Sequence, residues 1–311
     1  MIGNQMIRHI QPYVEQYSRF RARFIKLMTS ERIYPYVQLG RYDSPIGIWL
    51  LMLPALWGLV IAYDGLPNFF MLTAFVLGSC VVRGAGCTYN DLVDHKFDAE
   101  VERTADRPLP SGKLTRSQAI GFLIAQSTVA FLILLLMNFL TFCLGVLAVA
   151  IIGTYPWMKR YTYWPQVLLG FAMNYGLLMA YTAVKGSMTA EVIILYIAAI
   201  LWTLGYDTIY AHQDRKDDIL LGLKSSAIAM GEHTQVFLTL VYICVFVLLT
   251  LLGLVESLGF WYLSAVLGVG FIFTYQIITL DIEDPVGCRK LFQMNQWVGL
   301  TILIGLIFGY W

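Results

Sequence analysis

The sequence predicts an all-α integral membrane fold of nine transmembrane helices around a central cavity, and three observations predict it. Of 311 residues, 58% are hydrophobic and 13% charged, a balance far from that of a soluble domain. Apolar runs long enough to cross a hydrocarbon core of about 30 Å recur from Pro45 to Trp311. Charge is confined to the short intervals between those runs. One polytopic domain over 42–311 accounts for the length, with no soluble catalytic domain beside it.

Ahead of it, residues 1–41 carry Arg8, Arg19, Arg21, Arg23 and Lys26 among Ile7, Ile10, Tyr13, Phe20, Phe24 and Leu27. They lack the uninterrupted apolar core of a signal peptide. An amphipathic segment lying in the membrane interface is expected there, a loose basic tail being the other reading.

The spans fall at about 45–63, 69–89, 118–136, 139–156, 163–183, 191–209, 236–255, 259–280 and 292–310. Gly and Pro mark the breaks. Pro45, Pro54 and many glycines also fit inside spans, because lipid offers the backbone no competing partner and neighbouring helices close on small residues. Nearly all Lys and Arg lie on one side, in the N-terminal segment and the intervals 90–117, 157–162, 210–235 and 281–291, and the other side holds only Lys185. The basic side is therefore expected in the cytoplasm and Trp311 outside.

The layout repeats. Span two runs into an acidic cluster and then a basic, Gly-containing loop, and span six does the same. A four-helix unit used twice would set both clusters at the repeat interface.

The first cluster holds Asn90, Asp91, Asp94 and Asp98, at helical spacings that put their oxygens on one face. The second holds Asp207, Asp214 and Asp218, spaced by seven and four. Converging carboxylates at a span's end repel one another and are costly to desolvate, so a cation must compensate. Oxygen donors without a nearby thiol or paired His favour Mg²⁺ over zinc, with a diphosphate as co-ligand. A single cluster could as well be a solvated loop end. Two, at matching places and on one side, point to a site.

Arg103, Arg107 and Lys113 follow the first cluster, and Arg215, Lys216 and Lys224 the second; such cations clamp a leaving diphosphate or simply set orientation. Arg83 lies inside span two and needs an anionic partner, a substrate carboxylate or a motif Asp. Tyr155 and Lys159, one turn apart at the end of span four, can reach a diphosphate, and an aromatic and basic boundary anchor would be spelled the same way. His95 and His212 have no second His at ligand spacing and read as bystanders or hydrogen-bond partners. Cys80, Cys87, Cys143, Cys244 and Cys288 are scattered, without a CxxC pair, and read as structural thiols. The net charge of +1 sums over segregated charges and says little about partners; no nucleic acid is expected and protein partners are undetermined.

Asn90-Asp91-x-x-Asp94-x-x-x-Asp98 followed by Arg103-Thr-Ala-Asp-Arg107-Pro-Leu-Pro-Ser-Gly112 resembles the first signature of UbiA-type intramembrane prenyltransferases. Tyr206-Asp207-Thr-Ile-Tyr210-Ala-His212-Gln-Asp214-x-x-Asp217-Asp218 resembles the second, and the similarity runs from about Leu39 to the last span. The Pro-Leu-Pro-Ser-Gly stretch and Gly222-Leu-Lys224-Ser225-Ser226-Ala look like the ubiquinone-pathway members that prenylate 4-hydroxybenzoate. The resemblance implies one metal–diphosphate unit on Asn90, Asp94 and Asp98 and another on Asp214 and Asp218, with Tyr155 and Lys159 near the diphosphate. It implies polyprenyl diphosphate and 4-hydroxybenzoate as substrates and Mg²⁺ as cofactor.

On that reading the ring attacks an allylic cation inside a dry cavity, with Asp207 or Asp91 accepting the proton. Arg83, Arg41 or Arg160 would pair with the acceptor's carboxylate, Arg83 being favoured. Other aromatic acceptors, or a cation-coupled transporter with acids between repeated helices, are the rivals. A bacterial inner membrane is the expected compartment, a mitochondrial one the alternative.

Overall fold

The computed structural model describes residues 30–100 and 102–311, and no strand occurs among them. The expected interfacial segment therefore lies outside the described residues up to residue 29. Its last part forms a short helix, α1 (Tyr34–Leu39), opened by Pro35 in its first turn.

Nine of the described helices are long and apolar enough to span a bilayer. They are α2 (Ile46–Tyr63), α3 (Phe69–Asp98), α5 (Arg116–Leu134), α6 (Phe139–Thr154), α7 (Pro165–Lys185), α8 (Ala190–Ala211), α11 (Thr234–Val255), α12 (Phe260–Thr279) and α13 (Pro285–Gly309). Between them lie the short helices α4 (Glu102–Ala105), α9 (Arg215–Leu220) and α10 (Ser226–Met230), and 3₁₀ turns at Tyr155–Arg160, His212–Asp214 and Gly231–His233. The expected spans all appear, with two corrections. α3 does not stop near residue 89 but continues through the acidic cluster to Asp98. α13 begins not at 292 but at Pro285, where Asp284 caps it by accepting from the Val286 N–H at 3.0 Å.

Large apolar side chains lie open along these helices: Phe69, Phe139, Phe271 and Ile278 are each more than 70% exposed. Water would not tolerate so much apolar surface, and lipid requires it.

The chain packs as two compact units, one of residues up to Asp43 with Cys87–Leu123, the other of Ser44–Gly86 with Ile124–Trp311. The smaller is built on Leu39, Leu92, Leu114 and Ala119, with Tyr36 edge-on to Phe122 at 5.2 Å. In the larger, α2 and α8 are buried along most of their length, and α7 and α13 pack on both. Small residues allow the approach. A Cβ on Gly58 of α2 would strike the Leu177 carbonyl of α7, and one on Gly205 of α8 would strike the Tyr242 ring of α11. Trp57 and Trp202 pack with ring centres 5.3 Å apart and planes tilted by 35°, and their indole N–H groups donate to the Gly299 carbonyl at 3.0 Å and to Asn295 Oδ1 at 2.8 Å, both on α13. Each buried aromatic thereby satisfies its one donor.

Candidate active site

The first motif lies in the smaller unit, and its centre is Asp91, 1% exposed on α3. Arg41 Nη2 sits 2.7 and 2.9 Å from the two Asp91 oxygens. Arg41 is itself fixed: its Nη1 donates to the Gln38 carbonyl at 2.8 Å, and its backbone takes φ +57°, a left-handed value that marks a tight turn after α1. Burial works to lower the Arg41 pKa, but its anionic neighbours, Asp91 foremost, outweigh burial and leave it raised. Arg107 closes the lattice, its Nη1 2.8 Å from Asp98 Oδ2 and 3.4 Å from Asp91 Oδ1. The Thr104 hydroxyl donates to the Asp98 carbonyl at 2.7 Å, and Ser111 to the Arg107 carbonyl at 2.6 Å. The Arg107–Gly112 stretch is thus a wrapped loop that holds one guanidinium against two aspartates a full seven residues, or two turns, apart.

Helical continuity through Asp98 puts Asn90, Asp94 and Asp98 on one face, as the spacing predicts. Asn90 and Asp94 are half-buried, and Asp98 is 13% exposed. Arg103 lies on α4.

The second motif lies in the larger unit. Asp207 is on the last turns of α8, but a 3₁₀ turn over His212–Asp214 interrupts the helix before α9 carries Asp218. The three aspartates therefore do not share one continuous α-helical face, which corrects the reading of their spacing by seven and four. Asp218 is 7% exposed and Asp214 half-buried. The charges acting on Asp207 are Lys159, Arg83 and Asp214, and Gln166 hydrogen-bonds to its carboxylate. Tyr206, beside it, is fully buried and feels Arg83 and Tyr155. Arg83, Tyr155, Lys159, Asp207 and Asp214 are thus one electrostatic neighbourhood drawn from α3, the Tyr155–Arg160 turn, the end of α8 and the 3₁₀ turn after it.

Arg83 is the least satisfied group in it. Its Nε is buried with no hydrogen-bond partner, and its guanidinium occupies the space a Cβ on Gly47 would need. The Arg160 guanidinium lies 4.5 Å from the Trp157 ring centre, and the Lys224 ammonium 5.4 Å from that of Tyr163. The Lys224 ammonium also donates to the Tyr161 carbonyl at 3.2 Å, and its backbone N–H donates to the Lys159 carbonyl at 2.8 Å.

Sequence reasoning missed Gln166. It is 3% exposed at the start of α7, and its Oε1 accepts from the Ser226 N–H at 3.1 Å while its amide faces Asp207. Ser226 Oγ in turn lies 2.7 Å from Thr208 Oγ1. Asp207 is therefore held from α7, α8 and α10 together, by residues whose types alone carry no signal.

Comparison with known proteins identifies the family. The profile of the UbiA prenyltransferase family matches residues 51–299. The 4-hydroxybenzoate polyprenyltransferase of Bos taurus mitochondria is 43% identical over 280 residues, 89% of this chain and 76% of that protein. A 4-hydroxybenzoate octaprenyltransferase of Salmonella paratyphi B is 40% identical over 284 residues, 91% of this chain and 98% of that protein. Among solved structures, an apo UbiA homologue from Aeropyrum pernix K1 superposes with a TM-score of 0.73 at 23% identity, covering 83% of this chain and 96% of its own. A UbiA homologue from Archaeoglobus fulgidus, bound to GPP and Mg²⁺, does so with 0.65 at 18% identity, covering 88% and 99%. With nine helices of spanning length among its described residues, both aspartate motifs and a family profile matched over most of its length, the chain belongs to the UbiA prenyltransferase family.

Proposed function

We propose that the chain transfers a polyprenyl group from polyprenyl diphosphate to the ring carbon ortho to the hydroxyl of 4-hydroxybenzoate, a step of ubiquinone biosynthesis, with Mg²⁺ as cofactor. The observation that carries an acidic acceptor is Arg83. A guanidinium stays charged at any working pH, and a charged group within a membrane helix demands an anion. Its buried, unpartnered Nε is one donor that a planar carboxylate would satisfy.

The donor set fits Mg²⁺. It is all oxygen, and among the described residues no three His, Cys, Asp or Glu side chains form a cage of their own. Carboxylates offered in ones and twos suit a hard ion whose shell is completed by phosphate oxygens and water. We assign Asn90, Asp94 and Asp98 to one metal–diphosphate unit and Asp214 and Asp218 to the other. Held there, Mg²⁺ would supply positive charge against the departing diphosphate, which eases ionisation of the allylic carbon.

The protein's own groups do the rest. Lys159 and Tyr155 donate to diphosphate oxygens as negative charge grows there. Arg107 and Arg41 act through Asp91 and Asp98, keeping the first motif in register. Asp207, tied by Gln166, takes the proton from the acceptor ring; Asp91 is passed over because both its oxygens face Arg41. We place the reaction on the cytoplasmic side of a bacterial inner membrane, on the strength of the Lys and Arg bias.

The test is transfer of label from radioactive 4-hydroxybenzoate into lipid by membranes holding the protein, with a polyprenyl diphosphate and either Mg²⁺ or EDTA. Label must enter lipid with Mg²⁺ only, and pyrophosphate must be released. A panel including naphthoate and homogentisate acceptors decides the ring, and solute flux without pyrophosphate would mark a transporter instead.

A further inference from the structure

Between Asp207 and Asp218 the chain changes helical type, and nothing in the sequence obliges it to: no Gly or Pro lies in 207–218. A 3₁₀ turn advances about 120° per residue against about 100° in an α-helix, so three such residues rotate all that follows by about 60°. The direction of Asp214 and Asp218 relative to Asp207 is set here. Something must hold the turn.

The first residue of the turn, His212, is 4% exposed, and its Nε2 lies 2.9 Å from Thr234 Oγ1. Thr234 is fully buried at the head of α11, and its hydroxyl donates to the Gly231 carbonyl at 2.7 Å. With that proton committed, the hydroxyl can only accept, so His212 donates its Nε2–H to it. Its Nδ1 is buried without a partner. An unmet buried polar atom costs about 1–3 kcal/mol, a cost an apolar residue of similar size would avoid. The imidazole stands there for the bond on its other nitrogen.

We propose that His212 is a positioning residue for the second acidic motif: its bond to Thr234 pins the 3₁₀ turn to the head of α11 and so aims Asp214 and Asp218 at a metal-bound diphosphate. This rests on the reading that those two carboxylates serve such a ligand. His212 touches neither metal nor substrate; it acts through the backbone of the turn. The bland role ascribed to it by spacing alone, a hydrogen-bond partner, becomes a specific one.

The test uses the purified full chain, Mn²⁺ as a paramagnetic probe and farnesyl S-thiolodiphosphate as an inert diphosphate, with free Mn²⁺ read by electron paramagnetic resonance. His212→Phe and Thr234→Val are each expected to weaken Mn²⁺ binding about tenfold, in the range for a lost partner behind a metal ligand. Their double variant should weaken it no further, as for two ends of one bond. His212→Gln, which returns an N–H donor near Nε2, should bind as the parent does. In turnover the KM for the diphosphate should rise while that for the aromatic acid stays put. Parent-level Mn²⁺ binding in His212→Phe would overturn the proposal, as would equal weakening in His212→Gln or an equal rise in both KM values. If His212→Phe does not yield monodisperse protein, Thr234→Val against Thr234→Ser decides on the same readouts. Parent protein that binds no Mn²⁺ with the analogue would overturn the metal reading beneath the proposal, and the proposal with it.

Discussion

Replacing Arg41 by Met would leave the Asp91 carboxylate, 1% exposed, with Arg107 alone at 3.4 Å. Breaking a buried ion pair costs about 3–5 kcal/mol, because the surviving charge stays out of water without its partner. We take the lower end, about 3 kcal/mol, since Arg107 remains and a quarter of the Arg41 side chain is exposed. At about 2–4 °C per kcal/mol for a larger domain, the midpoint of thermal unfolding should fall by about 6–12 °C. The assay is intrinsic fluorescence of the detergent-solubilised protein during heating, with size exclusion to count what survives. Adding Asp91→Asn removes the stranded charge, so the double variant should melt no lower than Arg41→Met alone, a coupling that independent sites would not show. An unchanged midpoint in Arg41→Met, or strictly additive losses in the pair, would refute the view that Asp91 is a structural hub rather than a proton acceptor.

Ala at Asp94 or at Asp214 should lower Mg²⁺-dependent transfer by about a hundredfold or more while the protein still inserts, which labelled-acceptor assays on quantified membranes will check. Arg83→Met should raise the KM for the aromatic acid by about ten- to a hundredfold, the worth of a charge-assisted hydrogen bond, with the KM for the diphosphate unmoved in initial-rate kinetics. Gly58→Val places a side chain where the Leu177 carbonyl now lies and should cost about 1–3 kcal/mol by overpacking, visible as a lower melting midpoint.

The spans were legible because twenty apolar residues between charged intervals have one stable solution in lipid, and their order survived intact. Their ends were less so. Past residue 89 polarity reads as a loop, yet the four-residue spacing from Asn90 to Asp98 already required the helix to continue, and α3 does. At α13, Asp284-Pro285 is a helix start in plain text, masked by Arg289 and Lys290, which argued against a span. The acidic residues of the site were found by type and spacing, but their pairing was not. Arg41 and Asp91 are fifty positions apart, and only folding decides that Arg41 meets a motif carboxylate instead of a substrate. Gln166 and the turn at His212 lay beyond reach for the same reason: each works through a distant partner, Ser226 or Thr234, that no local pattern announces.

The main-chain bond from Lys224 to the Lys159 carbonyl stitches the segment after α6 to the segment after α9, two stretches some sixty positions apart in the chain. Gln166, reaching Ser226, adds a second stitch beside it. Neither segment can change length or course by itself without dragging the other, so the two must vary as one cassette. Anyone grafting an acceptor preference from one relative onto another should move 155–166 and 222–226 together.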